Sequence, residues 1–502
     1  MRTKSIKMAL LQLPPELLLR MSDCLTTSEF GHLRLTCKAV ESTLFDTFAR
    51  EFFTKRQFMI EHNSLQALLD IANHPTLSKW LTQVIIGADV LRRSPDIAHR
   101  SSCVHYWAGF LERQTLLNTG LACEMLVEAF SRLPNLQTVG LRDYYGGCSG
   151  SGRERDGPNA VWRSYGWSCH LSEDEYQAQK GLSRHLTTTF DHPGPLLPLV
   201  LQALGLANVR PQNLETFLRR NPKLDPLSFD IFNRLMAPSI PPVLAGIQRL
   251  MLSISELNLG SAGPGVDSNE AKTRSVPIQH FLEHTPNLQC LRLNFASDRS
   301  SADGILEWLG GRPHLSSFKQ SPIVVRIPAV QFSNLVELDL GMVSIHKAPL
   351  VNIVTKFNLK SLNLWKVSIK EPSDSAGDGI QSLWPSFFTT LADNLLSNTL
   401  QSLMVGWPAS LEYEQGTPHV AYTAMRVVID GNHDNCKPEN VTPIVRYQAV
   451  FGSNIKDWLR ETAVKFVTLD HIEGPLSSDS EDDELEDELD ESSEGTDDGG
   501  EI

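Results

Sequence analysis

The sequence has no pair of cysteines at the close spacing of a zinc site or a redox motif. Its eight cysteines, Cys24, Cys37, Cys103, Cys123, Cys148, Cys169, Cys290 and Cys436, are scattered over 502 residues. That excludes a dense disulfide framework and fits reduced thiols. A block of lysine and arginine is missing too, so no clustered basic face is expected to displace counterions from a duplex, and no nucleic-acid partner follows. No apolar run approaches the ~20 residues of a membrane-spanning helix, and no membrane partner is expected. Arg2, Lys4 and Lys7 precede an apolar "MALLQL", but Pro14, Pro15 and Glu16 cut that run and no small-residue cleavage site follows. The expected location is therefore cytoplasmic or nuclear.

Catalytic signatures are equally scarce. "GSAGPG" lacks the Lys-Ser/Thr of a phosphate loop, and there is no G-x-S-x-G elbow, H-E-x-x-H pair or kinase set. Cys169 and His170 are adjacent, and His433 lies three residues before Cys436, yet a zinc site needs four ligands in matched pairs. The expectation is no metal, no other cofactor and no enzymatic activity.

The charge is unevenly placed. Of the 59 acidic residues, 14 fall within Asp479–Ile502, which contains no Lys or Arg, leaving 45 acidic against 45 basic residues elsewhere. The body is neutral and the formal charge of −14 is a tail. Residues 477–502 have almost nothing to bury and repel one another, so disorder is expected there.

Near the front, "LQLPPELLLRMSDCL" places two prolines and a glutamate ahead of a leucine run. Proline suits the first helical turn, where amides are free, and Glu16 suits the positive end of the helix dipole. Leu17, Leu18, Met21 and Leu25 then recur at helical spacing. Thr26, Thr27 and Ser28 offer capping for a second helix bearing Phe30, Leu33 and Cys37, and Val40, Leu44, Phe45, Phe48 and Phe52 outline a third. So small a helical cluster leaves apolar surface for a partner.

The stretch "LPPELLLRMSDCLTTSEFGHLRLTCKAV" resembles an F-box. The matching positions are Leu13, Pro14, Glu16, Leu17 and Leu18, then Met21 and Leu25, then Glu29-Phe30 and Cys37-Lys38. Glu29-Phe30 stands where Asp-Leu is commoner, and a Trp frequent after the Lys is missing. The resemblance, to F-box proteins of fungal style, implies docking on the small adaptor subunit of a cullin-based (SCF) ubiquitin ligase. Leu13, Pro14, Glu16, Leu17, Leu18, Met21, Leu25, Phe30 and Cys37 would then form the adaptor-binding set.

Further on, one pattern recurs: "NLQTVGL", "GIQRLML", "NLQCLRL", "NLVELDL", "NLKSLNL" and "TLQSLMV" each read L-x-x-L-x-L with tolerated swaps. Leu335 to Leu359 is a step of 24, and "HLSSF" divides the interval from Leu288 to Leu335. An apolar pair two apart shares one face of a strand, and a unit of this size must stack on neighbours to bury it. "SVPIQHFLEHTP" and "GILEWLGGRP" read as helices between such strands.

The expected class is α+β: a three-helix F-box-like domain over residues 8–55, then an irregular leucine-rich-repeat-like α/β solenoid with parallel strands over 56–476. Insertions are expected at about 142–198, 255–276, 370–383 and 406–440. Between the apolar strand positions lie Arg292, Asp339, Asn363 and Met404, with Asn294, Trp365 and Trp407 just beyond. That row is the candidate surface for an unknown protein substrate, with Trp365 as an anchor. The functional expectation is a non-catalytic substrate receptor of an SCF-type ligase, linked through the adaptor to the cullin. The alternatives are an F-box scaffold acting outside the ligase and an enzyme on an α/β body with an unrecognised site.

Overall fold

The computed structural model describes residues 13–90, 100–144, 164–166, 189–190, 193–219, 223–231, 238–255, 275–296, 302–311, 314–317, 324–328, 330–372, 383–395, 399–413, 423–430, 441–442, 444–450 and 454–468. Residues 477–502, Cys169, His170, His433, Cys436 and most of 142–198 lie outside these. Contacts divide the described chain into two units, residues 13–44 and the described residues from 45 to 468.

The smaller unit holds helices α1 (Pro15–Ser22), α2 (Thr27–Arg34) and the N-terminal part of α3 (Lys38–Phe53). Pro14 caps α1 and Pro15 occupies its first turn, and the Pro14 carbonyl accepts from the Leu17 and Leu18 amides at 3.0 and 3.3 Å. Proline thus sits where its missing amide costs nothing. Thr26 and Glu29 form a capping box: Thr26 Oγ1 accepts from the Glu29 amide and the Glu29 carboxylate accepts from the Thr26 amide at 3.0 Å. These bonds hold the Glu29 carboxyl below the usual range. One expectation changes. Cys37 lies outside α2, which stops at Arg34, and its carbonyl instead accepts from Glu41 at the start of α3.

The larger unit is mixed α/β, dominated by parallel strands. Strands β1 (Lys55–Met59), β2 (Gln83–Gly87), β3 (Thr138–Arg142), β4 (Asn213–Phe217), β5 (Arg249–Ser253), β6 (Cys290–Asn294), β7 (Glu337–His346) and β8 (Ser361–Pro372) follow one another across one open sheet in chain order, each parallel to the last. Strands β9 (Ser402–Gly406) and β10 (Ala409–Tyr413) pair in parallel with the two halves of β8. Antiparallel strands then close the far side: β11 (Thr423–Asp430) on β10, β12 (Ile444–Gln448) on β9 and β13 (Phe466–Thr468) on β11.

The recurring apolar pattern explains the register. Val84, Val139, Leu214, Leu250, Leu291, Leu338, Leu362 and Leu403 are partners across successive strands, all buried. Leu252, Leu293, Leu340, Leu364 and Val405 make a second buried column two residues on. Three residues before the first column, Leu81, Leu136, Ile247, Leu288, Leu335, Leu359 and Leu400 are buried under the turn into each strand. The backbone repeats with the side chains. The carbonyls of Thr54, Thr82, Gln137, Gln212, Gln248, Gln289, Val336 and Lys360 each accept two amides from the start of the next strand.

Among the described residues of this unit are the helices α4 (His62–Asn73), α5 (Arg100–Thr119), α6 (Leu121–Ser131), α7 (Leu196–Ala207), α8 (Val276–Glu283), α9 (Asp303–Leu309), α10 (Lys347–Phe357), α11 (Leu383–Asn394) and α12 (Ile455–Ala463). Their apolar sides join the two leucine columns in one continuous core. Contacts run in series from α8 through α9, α10 and α11 to α12. At the α12 end Trp384, Phe388 and Phe466 pack together, and Trp384 Nε1 donates to the Ala409 carbonyl at 2.8 Å.

Three expectations are corrected here. "HLSSF" supplies no strand of the main sheet: His314–Ser317 pairs antiparallel with Val324–Ile327, and β6 lies directly beside β7. Residues 370–372, expected to open an insertion, continue β8, and 409–413, inside another expected insertion, are β10. Strands β1 and β4 escape the sequence pattern, because Arg56 and Thr216 occupy positions that it reserves for apolar residues.

Candidate functional site

A strand exposes alternate side chains on alternate faces. With the leucine columns turned to the core, the intervening residues line the other face. Arg292, Asp339, Asn363 and Met404 are register partners on β6, β7, β8 and β9, so the sheet brings together the four residues expected to form a row. Two further members, Glu215 on β4 and Met251 on β5, extend it, and Arg446 on β12 is opposite Met404.

Asn363 Nδ2 donates to Asp339 Oδ1 at 2.7 Å. Loss of solvation pushes the Asp339 carboxyl up to about 6, aided by Glu337 and opposed by Arg292, Asn363 and Arg249. Burial, with Glu337 and Asp339 nearby, pushes the Cys290 thiol up as well, which makes it a poor nucleophile. Arg292, Asn294, Asp339 and Asn363 are half-buried, whereas Met404 and Trp365 are buried.

Asn294 and Trp365 flank Gly341 in the next tier of the same face. The glycines there are steric necessities: a Cβ on Gly341 would overlap Asn294 Oδ1, and one on Gly406 would overlap the ring atoms Cε3 and Cζ3 of Trp365. Just past this tier the three strands bend at one level. Met342, Lys366 and Trp407 have φ of 53°, 50° and 51°, in the left-handed region that non-glycine residues seldom occupy. Pairing skips them, passing from Gly341↔Trp365 to Val343↔Val367. Trp407 therefore lies at a bend rather than in the row.

In the smaller unit, α1 turns its two faces in different directions. Leu17 and Met21, one helical turn apart, are 45% and 47% exposed, while Leu18 is buried. Pro14 and Glu16 are exposed, Leu13, Leu25 and Cys37 half-buried, and Phe30 buried. Leu35 after α2 is 82% exposed. Of the residues expected to anchor an adaptor, Leu18 and Phe30 are occluded by their own chain, and the exposed large apolar side chains among the described residues of this unit are Leu17, Met21 and Leu35.

Among the described residues no group of three or more His, Cys, Asp or Glu side chains could hold a metal ion, and no helix is long and apolar enough to cross a membrane. Compared with models of known protein families and with curated proteins, the chain gives no match.

Proposed function

We propose that this chain is a non-catalytic substrate receptor: its helical head docks as an F-box on the adaptor of a cullin-based ubiquitin ligase, and its leucine-rich-repeat-like sheet presents a face to a protein substrate. The observation that carries this reading is the head. Its Leu-Pro-Pro-Glu opening starts a helix that leaves Leu17 and Met21 uncovered on one face, and a few such apolar anchors can dominate an interface. The sheet supports the second half of the reading, because register alignment gathers the half-buried Arg292, Asp339 and Asn363 side by side, flanked by the buried Glu215, Met251 and Met404. Such a receptor contributes proximity, and ubiquitin transfer belongs to other subunits.

The test is co-purification from cells of the intact chain and of a Leu13→Ala/Pro14→Ala variant, read by mass spectrometry. The intact chain should bring down adaptor and cullin, and the variant should lose both while keeping its thermal unfolding transition. Undiminished adaptor on the variant refutes the assignment. Adaptor without cullin would instead indicate a scaffold working outside the ligase.

A further inference from the structure

Arg142, the last residue of β3, is a buried charge with no ion-pair partner among the described residues. It is 3% exposed and its Nε is buried with no hydrogen-bond partner. Among the described residues, no hydrogen bond or ion pair reaches its guanidinium. What surrounds it is aromatic. Its Cζ lies 5.4 Å from the centroid of Phe217, its register partner on β4, and 5.7 Å from that of Tyr144. Two more arginines share those rings: Arg292 is 5.7 Å from Phe217, and Arg219 is 3.9 Å from Tyr144. Asp143, the nearest acidic residue in the chain, has Oδ1 engaged by the Arg219 backbone amide at 2.9 Å.

An arginine Nε buried without an acceptor is unfavourable, and ring faces return only part of that loss. The planar fork of a guanidinium matches the paired oxygens of phosphoryl and carboxylate groups. The cluster also sits at the C-terminal ends of parallel strands, where open α/β sheets place their ligands. We propose that Arg142, with Arg219 and Arg292, binds an oxyanion, phosphoryl or carboxylate, presented by the protein that occupies the sheet's polar face. The oxyanion site stands on its own geometry; that a bound protein carries the anion rests on the receptor reading above.

The experiment is thermal unfolding of the full chain titrated with inorganic phosphate, with acetate, or with chloride at matched ionic strength. Wild type should show a saturable rise in Tm with phosphate, with acetate or with both, and none with chloride. Arg142→Met, which replaces the unpaired charge by an apolar chain of similar length, should melt no lower than wild type in chloride and show no anion-dependent rise. A rise with phosphate alone assigns the site to phosphoryl groups, and a rise with acetate extends it to carboxylates. No rise with either anion overturns the proposal, and so does an equal rise in wild type and Arg142→Met. Should Arg142→Met fail to fold, Arg219→Gln serves, since the backbone bond to Asp143 survives it. Its half-saturating concentration should increase roughly tenfold, and an unchanged value counts against the site. Adaptor co-purification can fail while the anion effect persists, so the two readings fail separately.

Discussion

Gly406 lies outside the left-handed region, so alanine there strains no backbone; the new methyl meets the ring of Trp365 instead. Trp365 is only 9% exposed. A buried tryptophan removes on the order of 150–250 Å² from water, so at about 25 cal/mol per Å² full ejection would cost about 4–6 kcal/mol. A partial shift falls in the overpacking range, about 1–3 kcal/mol, and that is the cost expected for Gly406→Ala. The same substitution should cost nearly nothing in a Trp365→Ala background, where the obstacle is gone. Urea unfolding followed by circular dichroism on wild type, both single variants and the double variant gives the coupling, expected at about 1–3 kcal/mol. Strictly additive losses would mean that Trp365 does not lie over Gly406, and the arrangement of this tier would be wrong.

The row carries a pH signature. Asp339 has a folded value of about 6 against an ordinary 3.8, so between those values the folded chain holds the proton more tightly than the unfolded one. Its contribution to stability is greatest at low pH and is lost as pH rises through 6. The residue keeps some solvent exposure, so only part of that shift becomes stability. Asp339→Asn, whose side-chain oxygen still accepts from Asn363, should be more stable than wild type by about 1 kcal/mol at pH 7.5 and lose that advantage below pH 4. An advantage that grows on acidification would contradict the burial assigned to this carboxyl. In the head, Thr26→Ala removes half of the capping box and should lower the stability of α2 by about 1 kcal/mol, seen as faster amide exchange at Glu29; unchanged exchange would show that the cap contributes nothing.

Much of the sheet was readable because apolar residues two apart, preceded by a third, recur at Leu288, Leu335, Leu359 and Leu400, and periodicity fixes which face each strand buries. The row from Arg292 to Met404 followed from the same alternation. What defeated the pattern was substitution within it. In β4 the seating residue is Pro211 and the second column holds Thr216, so Glu215 and the Phe217 ring under Arg142 and Arg292 were invisible. "HLSSF" fits the spacing by chance, since a short apolar alternation serves a hairpin as well as a parallel strand. The aligned bends at Met342, Lys366 and Trp407 left no trace either, because a left-handed φ at a non-glycine residue is imposed by tertiary context. In the head, helical spacing located the leucines but could not divide them into Leu17 outside and Leu18 inside, which depends on how the helices pack.

The most direct measurement is isothermal titration of the purified full chain with the purified adaptor subunit, repeated with Leu17→Asp/Met21→Asp. Leu17 and Met21 are one turn apart on an open face, so the substitutions should spare the fold. Wild type should bind one-to-one, and the variant should lose at least about a hundredfold in affinity. Absence of binding by wild type, or equal affinity in both, would contradict the docking role of the head.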